Sequence, residues 1–138
     1  MRALRITSVV LLVLVAGAAA TWWAGEQTEL VVIRTLDGDG TQYDTKVWVV
    51  DHDGAPWVRV ANPGRFWFHR LSRNPHARLI RGGVEQPVIA RPADFVEARA
   101  AIDARFREKY GVVDWWYGVL LRPNAIPVRL DPDREGAR

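Results

Sequence analysis

The feature that most limits this chain is an unbroken apolar run near its start. Arg2 and Arg5 precede a stretch from Ile6 to Thr21 that closes on Trp22-Trp23, and no formal charge falls between Arg5 and Glu26. A helix needs about 20 apolar residues to cross a bilayer core, and this run supplies them. Residues 1–25 therefore read as a transmembrane anchor or a secretory signal. A cleaved signal needs small residues at the cut, which Ala18-Ala19-Ala20 offers. A retained anchor favours aromatic residues at the interface, which Trp22 and Trp23 provide. Retention is the reading carried forward, with residues 6–24 in the lipid bilayer, because the span has no charged break. The basic residues lie before the run and Glu26 and Glu29 after it. That places the N-terminus in the cytoplasm and the body on the extracytoplasmic side of a single-pass cell-membrane protein.

The rest of the 138 residues makes one domain of modest size, residues 26–132, with a charged tail at 133–138. The chain has no cysteine, which excludes a disulfide framework, a thiolate metal site and a cysteine nucleophile. Two of the 19 basic side chains belong to the N-terminal run, so 17 face 16 acidic ones in the body. That balance lacks the concentrated basic face of a nucleic-acid binder, and nucleic acid is not an expected partner. Seven tryptophans are many for this length. Beyond Trp22 and Trp23, the remaining five must pack in a core, bind something planar or meet a partner.

Leu30 to Leu36 is rich in β-branched residues and predicts a strand, followed by a turn at Asp37-Gly38-Asp39-Gly40. The turn resembles the start of a calcium loop, but the closing carboxylate would fall on Trp48, so the match fails. A second strand is expected over Thr45 to Asp51, and Asp53-Gly54 turns it into a third over Pro56 to Ala61. Asn62-Pro63 predicts a helix start, with Asn as N-cap, running through Arg65 to Leu71 and stopping at Asn74-Pro75. Arg78 to Ile80 and Val84 to Ala90 form a hairpin across Gly82-Gly83. Asp94 opens the strongest helix, with Glu97 at capping-box spacing and an apolar stripe of Phe95, Ala98, Ile102, Phe106 and Tyr110. Arg99, Asp103 and Arg107 are spaced for i,i+4 pairs, and Gly111 ends the helix. Ile126 to Leu130 is the last strand, before a loose tail. Short antiparallel strands with few helices give an α+β, mainly β class: a small barrel with one short and one long helix, preceded by the transmembrane helix.

Trp67 to Leu79 with Gly82-Gly83, the helix end Phe106 to Gly111, and Ile126 to Pro132 together resemble the deazaflavin-dependent nitroreductase family over roughly residues 30–132. The resemblance implies a split β-barrel related to the flavin-binding pyridoxamine-phosphate-oxidase fold. It implies a deazaflavin coenzyme or FMN, reduction of quinones or nitro compounds, and dimerisation across the barrel. It implies that the cofactor phosphate lies near Lys46, Arg59, Asn62 and the amides of Gly64 and Arg65, with the ring toward Trp67. No catalytic residue is assigned. By charge, Asp37, Asp39 and Asp44 in the stretch before the second strand oppose a phosphate, and only Lys46 favours it.

Each remaining constellation has a plain alternative. Arg59, Arg65, Arg70, Arg73, Arg78 and Arg81 would bind phosphate or form a solvated face with scattered ion pairs, the latter favoured. Trp57 and Trp67 would stack on a ring or pack in the core, again the latter favoured. His52, His69 and His76 show no metal-ligand spacing, so no metal is expected. Asp114-Trp115-Trp116-Tyr117 cannot point every aromatic inward, which suggests a lid, a membrane contact or an interface. Two readings stay open: a membrane-anchored nitroreductase-like enzyme moving hydride from a deazaflavin or flavin to a quinone-like acceptor, or a cofactor-free accessory subunit of a membrane protein complex.

Overall fold

The computed structural model describes residues 10–16, 29–121 and 125–136, the side chains of 116–121 excepted. Residues 10–16 form helix α1. Most of the expected membrane span, including Trp22 and Trp23, lies outside the described residues. Among the described residues no helix is long and apolar enough to cross a membrane.

Alternation builds the barrel. In β1 (Leu30–Leu36), Val31, Ile33 and Thr35 are buried while Leu30 and Leu36 are exposed, the period of two that puts one face inward. β2 (Gln42–His52) returns antiparallel, and β3 (Ala55–Val60) follows across Asp53 and Gly54. Both turn residues have positive φ, 50° and 70°, as a tight hairpin turn demands. β4 (His76–Arg81) and β5 (Val84–Pro92) form the second hairpin, and β6 (Ile126–Pro132) completes the sheet. The order is β1-β2-β3-β6-β5-β4, with β4 returning to β1, a closed barrel of six antiparallel strands.

Aliphatic side chains fill the interior: Val31, Ile33, Val49, Val58, Val60, Leu79, Val88, Val128 and Leu130. Helix α2 (Phe66–Arg73) adds Trp67 and Leu71, four residues apart on one face, to the same core. The expected N-cap does not form. Asn62 Oδ1 accepts from the Gly64 amide at 2.8 Å, and the Asn62 carbonyl accepts from the Arg65 amide at 3.0 Å. Asn62 thus closes a turn of its own, and the helix starts at Phe66 with Arg65 as an N-cap lacking a side-chain bond. Its end is as expected: Asn74 is the C-cap, extended ahead of Pro75.

Helix α3 (Val96–Leu121) packs on the outside of the barrel. Ile102, Phe106 and Tyr110 join Val50 and Trp57 in a second core, with Trp48 against it. Two expectations fail here. Phe95 is exposed, since the helix begins one residue later. Arg99 pairs with Asp94 at 2.7 Å, and Asp103 pairs with Arg59 at 2.8 Å on β3, instead of one another. Gly111 ends the first helical stretch, as expected. It takes φ 55°, ψ −126°, and the helix resumes beyond it. The tail is not loose through Gly136, because Asp133 is buried and accepts from the backbone amides of Glu135 and Gly136.

Candidate functional site

A cavity of about 220 Å³ lies where β2, β3, α2 and α3 meet, lined by Lys46, Trp48, Arg59, Arg65, Trp67 and Phe106 among others. Lys46, Arg59, Arg65 and Trp67, far apart in sequence, are thereby brought together. Asn62 and Gly64 do not line it, and the amides of Gly64 and Arg65 are spent inside the Asn62 turn. Asp37, Asp39 and Asp44 do not line it either. Asp39 binds the Thr41 amide at 2.9 Å, and Asp44 is bound by Arg34 at 2.8 Å, which holds its carboxyl below the usual range.

The three cations differ. Among the described residues neither Lys46 nor Arg65 has a carboxylate within ion-pair distance. Arg59 is 6% exposed and holds two carboxylates of α3, Asp103 and the equally buried Asp114. Its guanidinium lies 3.9 Å from the centre of the Phe106 ring. Its Nε is buried without a hydrogen-bond partner. Aromatic walls flank the cations: Trp48 stacks on Tyr110 at 4.9 Å, and Trp67 meets Phe68 edge-on. Sequence reasoning missed Asp103 and Asp114, which reach Arg59 across 44 and 55 residues of chain. Helical spacing had paired Asp103 with its own helix.

Arg70, Arg78 and Arg81 are engaged elsewhere. Arg70 donates to Thr35 Oγ1 at 2.8 Å and covers the Tyr43 ring. Arg78 pairs with Glu85, and Arg81 bridges Glu29 and Asp51. The hydrogen bonds from Arg81 hold both Glu29 and Asp51 below the usual carboxylate range. Trp57 is buried in the α3 core, with Nε1 donating to the His52 carbonyl at 3.0 Å. Among the described residues no group of His, Asp and Glu side chains is placed to hold a metal ion.

A second cavity, of about 280 Å³, is lined by Arg34, Gln42, His76, Arg78 and Asp133 among others. Asp133 accepts from His76 Nδ1 at 2.7 Å, and this bond holds its carboxyl below the usual range.

The donors of the first cavity fit the phosphate end of a flavin-type cofactor. Lys46 and Arg65 carry unopposed charge, and Arg59 Nε is a buried donor without an acceptor. The volume does not fit the whole group, since small-molecule pockets span about 300–1,000 Å³.

Residues 15–125 match a protein family described as "Uncharacterized protein conserved in bacteria (DUF2255)". No curated protein matches. Solved structures match in fold. HutZ, the heme storage protein of Vibrio cholerae, aligns at TM-score 0.63 and 14% identity over 84% of this chain and 89% of its own. A Listeria innocua protein assigned as a pyridoxamine 5'-phosphate oxidase aligns at 0.61 and 13% over 84% and 93%. A Bacteroides thetaiotaomicron protein assigned to 5-nitroimidazole antibiotic resistance aligns at 0.62 and 10% over 78% and 75%. These identities establish a pyridoxamine-phosphate-oxidase-like split barrel and nothing finer.

Proposed function

The chain belongs to the DUF2255 family, and we propose that it is a split-barrel protein binding a phosphate-bearing redox cofactor, FMN or a deazaflavin, in the cavity between β2, β3, α2 and α3. The observation that carries this reading is the gathering of Lys46, Arg65 and Arg59 against Trp48, Trp67 and Phe106 in one cavity. Lys46 and Arg65 would hold the phosphate as charge-assisted donors. Trp67 and Trp48 would border the ring, and Phe106 would help exclude water. The bound group would supply hydride chemistry toward a quinone-like acceptor, which the side chains lining the cavity do not. The fold-mates' described roles, heme storage and pyridoxamine-phosphate oxidation among them, support a binding or redox role. The N-terminal apolar run supports attachment to the cell membrane with the body outside the cytoplasm, and dimerisation across the barrel follows the family resemblance.

Titrating FMN and a deazaflavin into purified full-length protein tests the reading. We expect saturable binding, weakened about tenfold or more by Lys46→Ala or Arg65→Ala, since each charge-assisted bond contributes about 1.5–3 kcal/mol. Saturable binding untouched by either change would move the site elsewhere. Absence of binding would favour the second reading, a cofactor-free accessory subunit of a membrane complex. The two carboxylates on Arg59 and the small cavity volume support that reading.

A further inference from the structure

The cavity lined by His76 and Asp133 shares no residue with the one between β2, β3, α2 and α3. Its histidine is held by backbone and by side chain. The His76 amide donates to Asn74 Oδ1 at 3.2 Å, and the carbonyl of the preceding Pro75 accepts from the Ala90 amide at 2.8 Å. Asp133 fixes the ring and divides its carboxylate between two tasks. Oδ1 accepts from the amides of Glu135 and Gly136, each at 3.1 Å, and closes the turn after β6. Oδ2 accepts from His76 Nδ1. A Cβ at residue 136 would fall 2.8 Å from Oδ2, so a side chain there would dislodge the oxygen that holds the ring. The turn needs Oδ1 alone, and the second oxygen serves the imidazole.

An ionised carboxylate only accepts, so Nδ1 carries the proton and Nε2 keeps its lone pair. The Asp133 side chain is 5% exposed and that of His76 56%, which puts the Nε2 edge of the ring on the open side. Among the described residues nothing bonds to Nε2. Arg78 stands two residues along β4 on the same outward face. Arg34, its register partner on β1, is taken by Asp44 through two bonds of 2.8 and 3.0 Å. Arg78 is paired more loosely, at 3.4 Å from Glu85, and neither Asp44 nor Glu85 lines the cavity. The cavity thus offers an acceptor at Nε2 and donors at Arg78 and Gln42. That set fits a group that both donates and accepts. A carboxylate at neutral pH has no proton to give. A phosphate loses its second proton near about pH 6, so it and an imidazole can share one proton in either direction.

We propose that this second cavity binds a phosphate group, free or at the end of a small ester, between His76 Nε2 and Arg78. Arg78 takes the oxygens that carry charge, and His76 takes the oxygen that carries the proton. Asp133 holds the ring in the tautomer that accepts. The volume of about 280 Å³ lies at the low end for small-molecule pockets, about 300 Å³, and suits a compact ester.

NMR of the full-length protein tests this through its imidazole signals, of which the chain has three. His76→Gln identifies the relevant one. Inorganic phosphate should shift that signal saturably. Sulfate, similar in shape but without a proton at neutral pH, should bind about tenfold more weakly. Arg78→Gln should weaken phosphate binding about tenfold, with the other two histidine signals reporting that the variant is folded. Lys46→Ala, in the first cavity, should change nothing. Glycerol phosphate binding more tightly than inorganic phosphate would assign the cavity to an ester, and the reverse to the free ion. A His76 signal that neither phosphate moves would overturn the assignment. So would equal binding of sulfate, or phosphate binding unaffected by Arg78→Gln.

Discussion

The barrel interior and the seam under α3 are both buried, yet they are held by different physics. The interior cluster is built on Val, Ile, Leu and Ala with Trp67 from α2, and its members come from all six strands. The seam is aromatic and polar. Tyr110 Oη lies 2.7 Å from the Val49 carbonyl and 3.0 Å from the Glu29 carbonyl, which share its one proton, and accepts from the Val49 amide. Arg59 crosses it to Asp103 and Asp114, and Lys109 binds Glu29 and the Val49 carbonyl. Apolar burial is non-directional and tolerates small shifts. A buried polar network has few acceptable geometries and can trade one partner for another. The interior therefore fixes the shape of the barrel, and the seam fixes how α3 lies across it.

Four measurements would break or sharpen that contrast. The largest effect is expected from Phe106→Ala, about 3–5 kcal/mol by urea melt, against about 2–5 kcal/mol for Leu130→Ala in the interior. A loss under about half a kilocalorie at Phe106 would mean that α3 does not melt with the barrel. Next comes Arg59→Met, which takes the guanidinium away from the buried Asp114 and should cost about 3 kcal/mol. Pairing it with Asp114→Leu should restore most of that loss, and no recovery would count against a charge-held seam. Tyr110→Phe should cost about 1–3 kcal/mol, because the Val49 amide loses the hydroxyl oxygen it donates to and the hydroxyl proton is lost to the Val49 and Glu29 carbonyls.

The smallest effect concerns pH. Glu29 and Asp51 have lowered carboxyl pKa values through Arg81. Their contribution is full above the unfolded values, about 4.3 for Glu and 3.9 for Asp, and is lost as pH falls through the lower folded values. The urea midpoint should therefore drop between about pH 5 and pH 2, and Arg81→Gln should flatten the drop. An Arg81→Gln curve parallel to the unaltered protein would assign the acid sensitivity elsewhere, with the His76–Asp133 pair next in line.

The sequence was most legible where the signal is local. β1 has the bounds its β-branched alternation implies. The hairpins fall at Asp53-Gly54 and Gly82-Gly83, and α2 stops where Asn74-Pro75 dictates. Ala98, Ile102, Phe106 and Tyr110 are buried as a stripe of that period should be. The N-cap of α2 was misread because Asn62 serves a turn as well as a cap. Gly111 marks the end of the first helical stretch of α3, and its positive φ does not tell that a second stretch follows. Lys46, Arg59, Arg65 and Trp67 were chosen through a family resemblance, and the barrel brings them together. Asp103 and Asp114 could not be chosen that way, because their role depends on how α3 lies across β3.

Closure of the barrel also limits how copies of this chain can assemble. Every strand has a neighbour on both sides, but not along its whole length: β2 pairs with β3 only from Val49 to His52, so residues 42–48 have a strand on the β1 side alone. A second copy would meet the barrel through side chains, along that part of β2, or by exchanging a strand with it. Exchange would begin where the ladder is shortest. β1 and β4 pair only from Val32–Ile80 to Arg34–Arg78, whereas β1 and β2 pair along the whole of β1. The seam between β1 and β4 is thus where the closed sheet would open first.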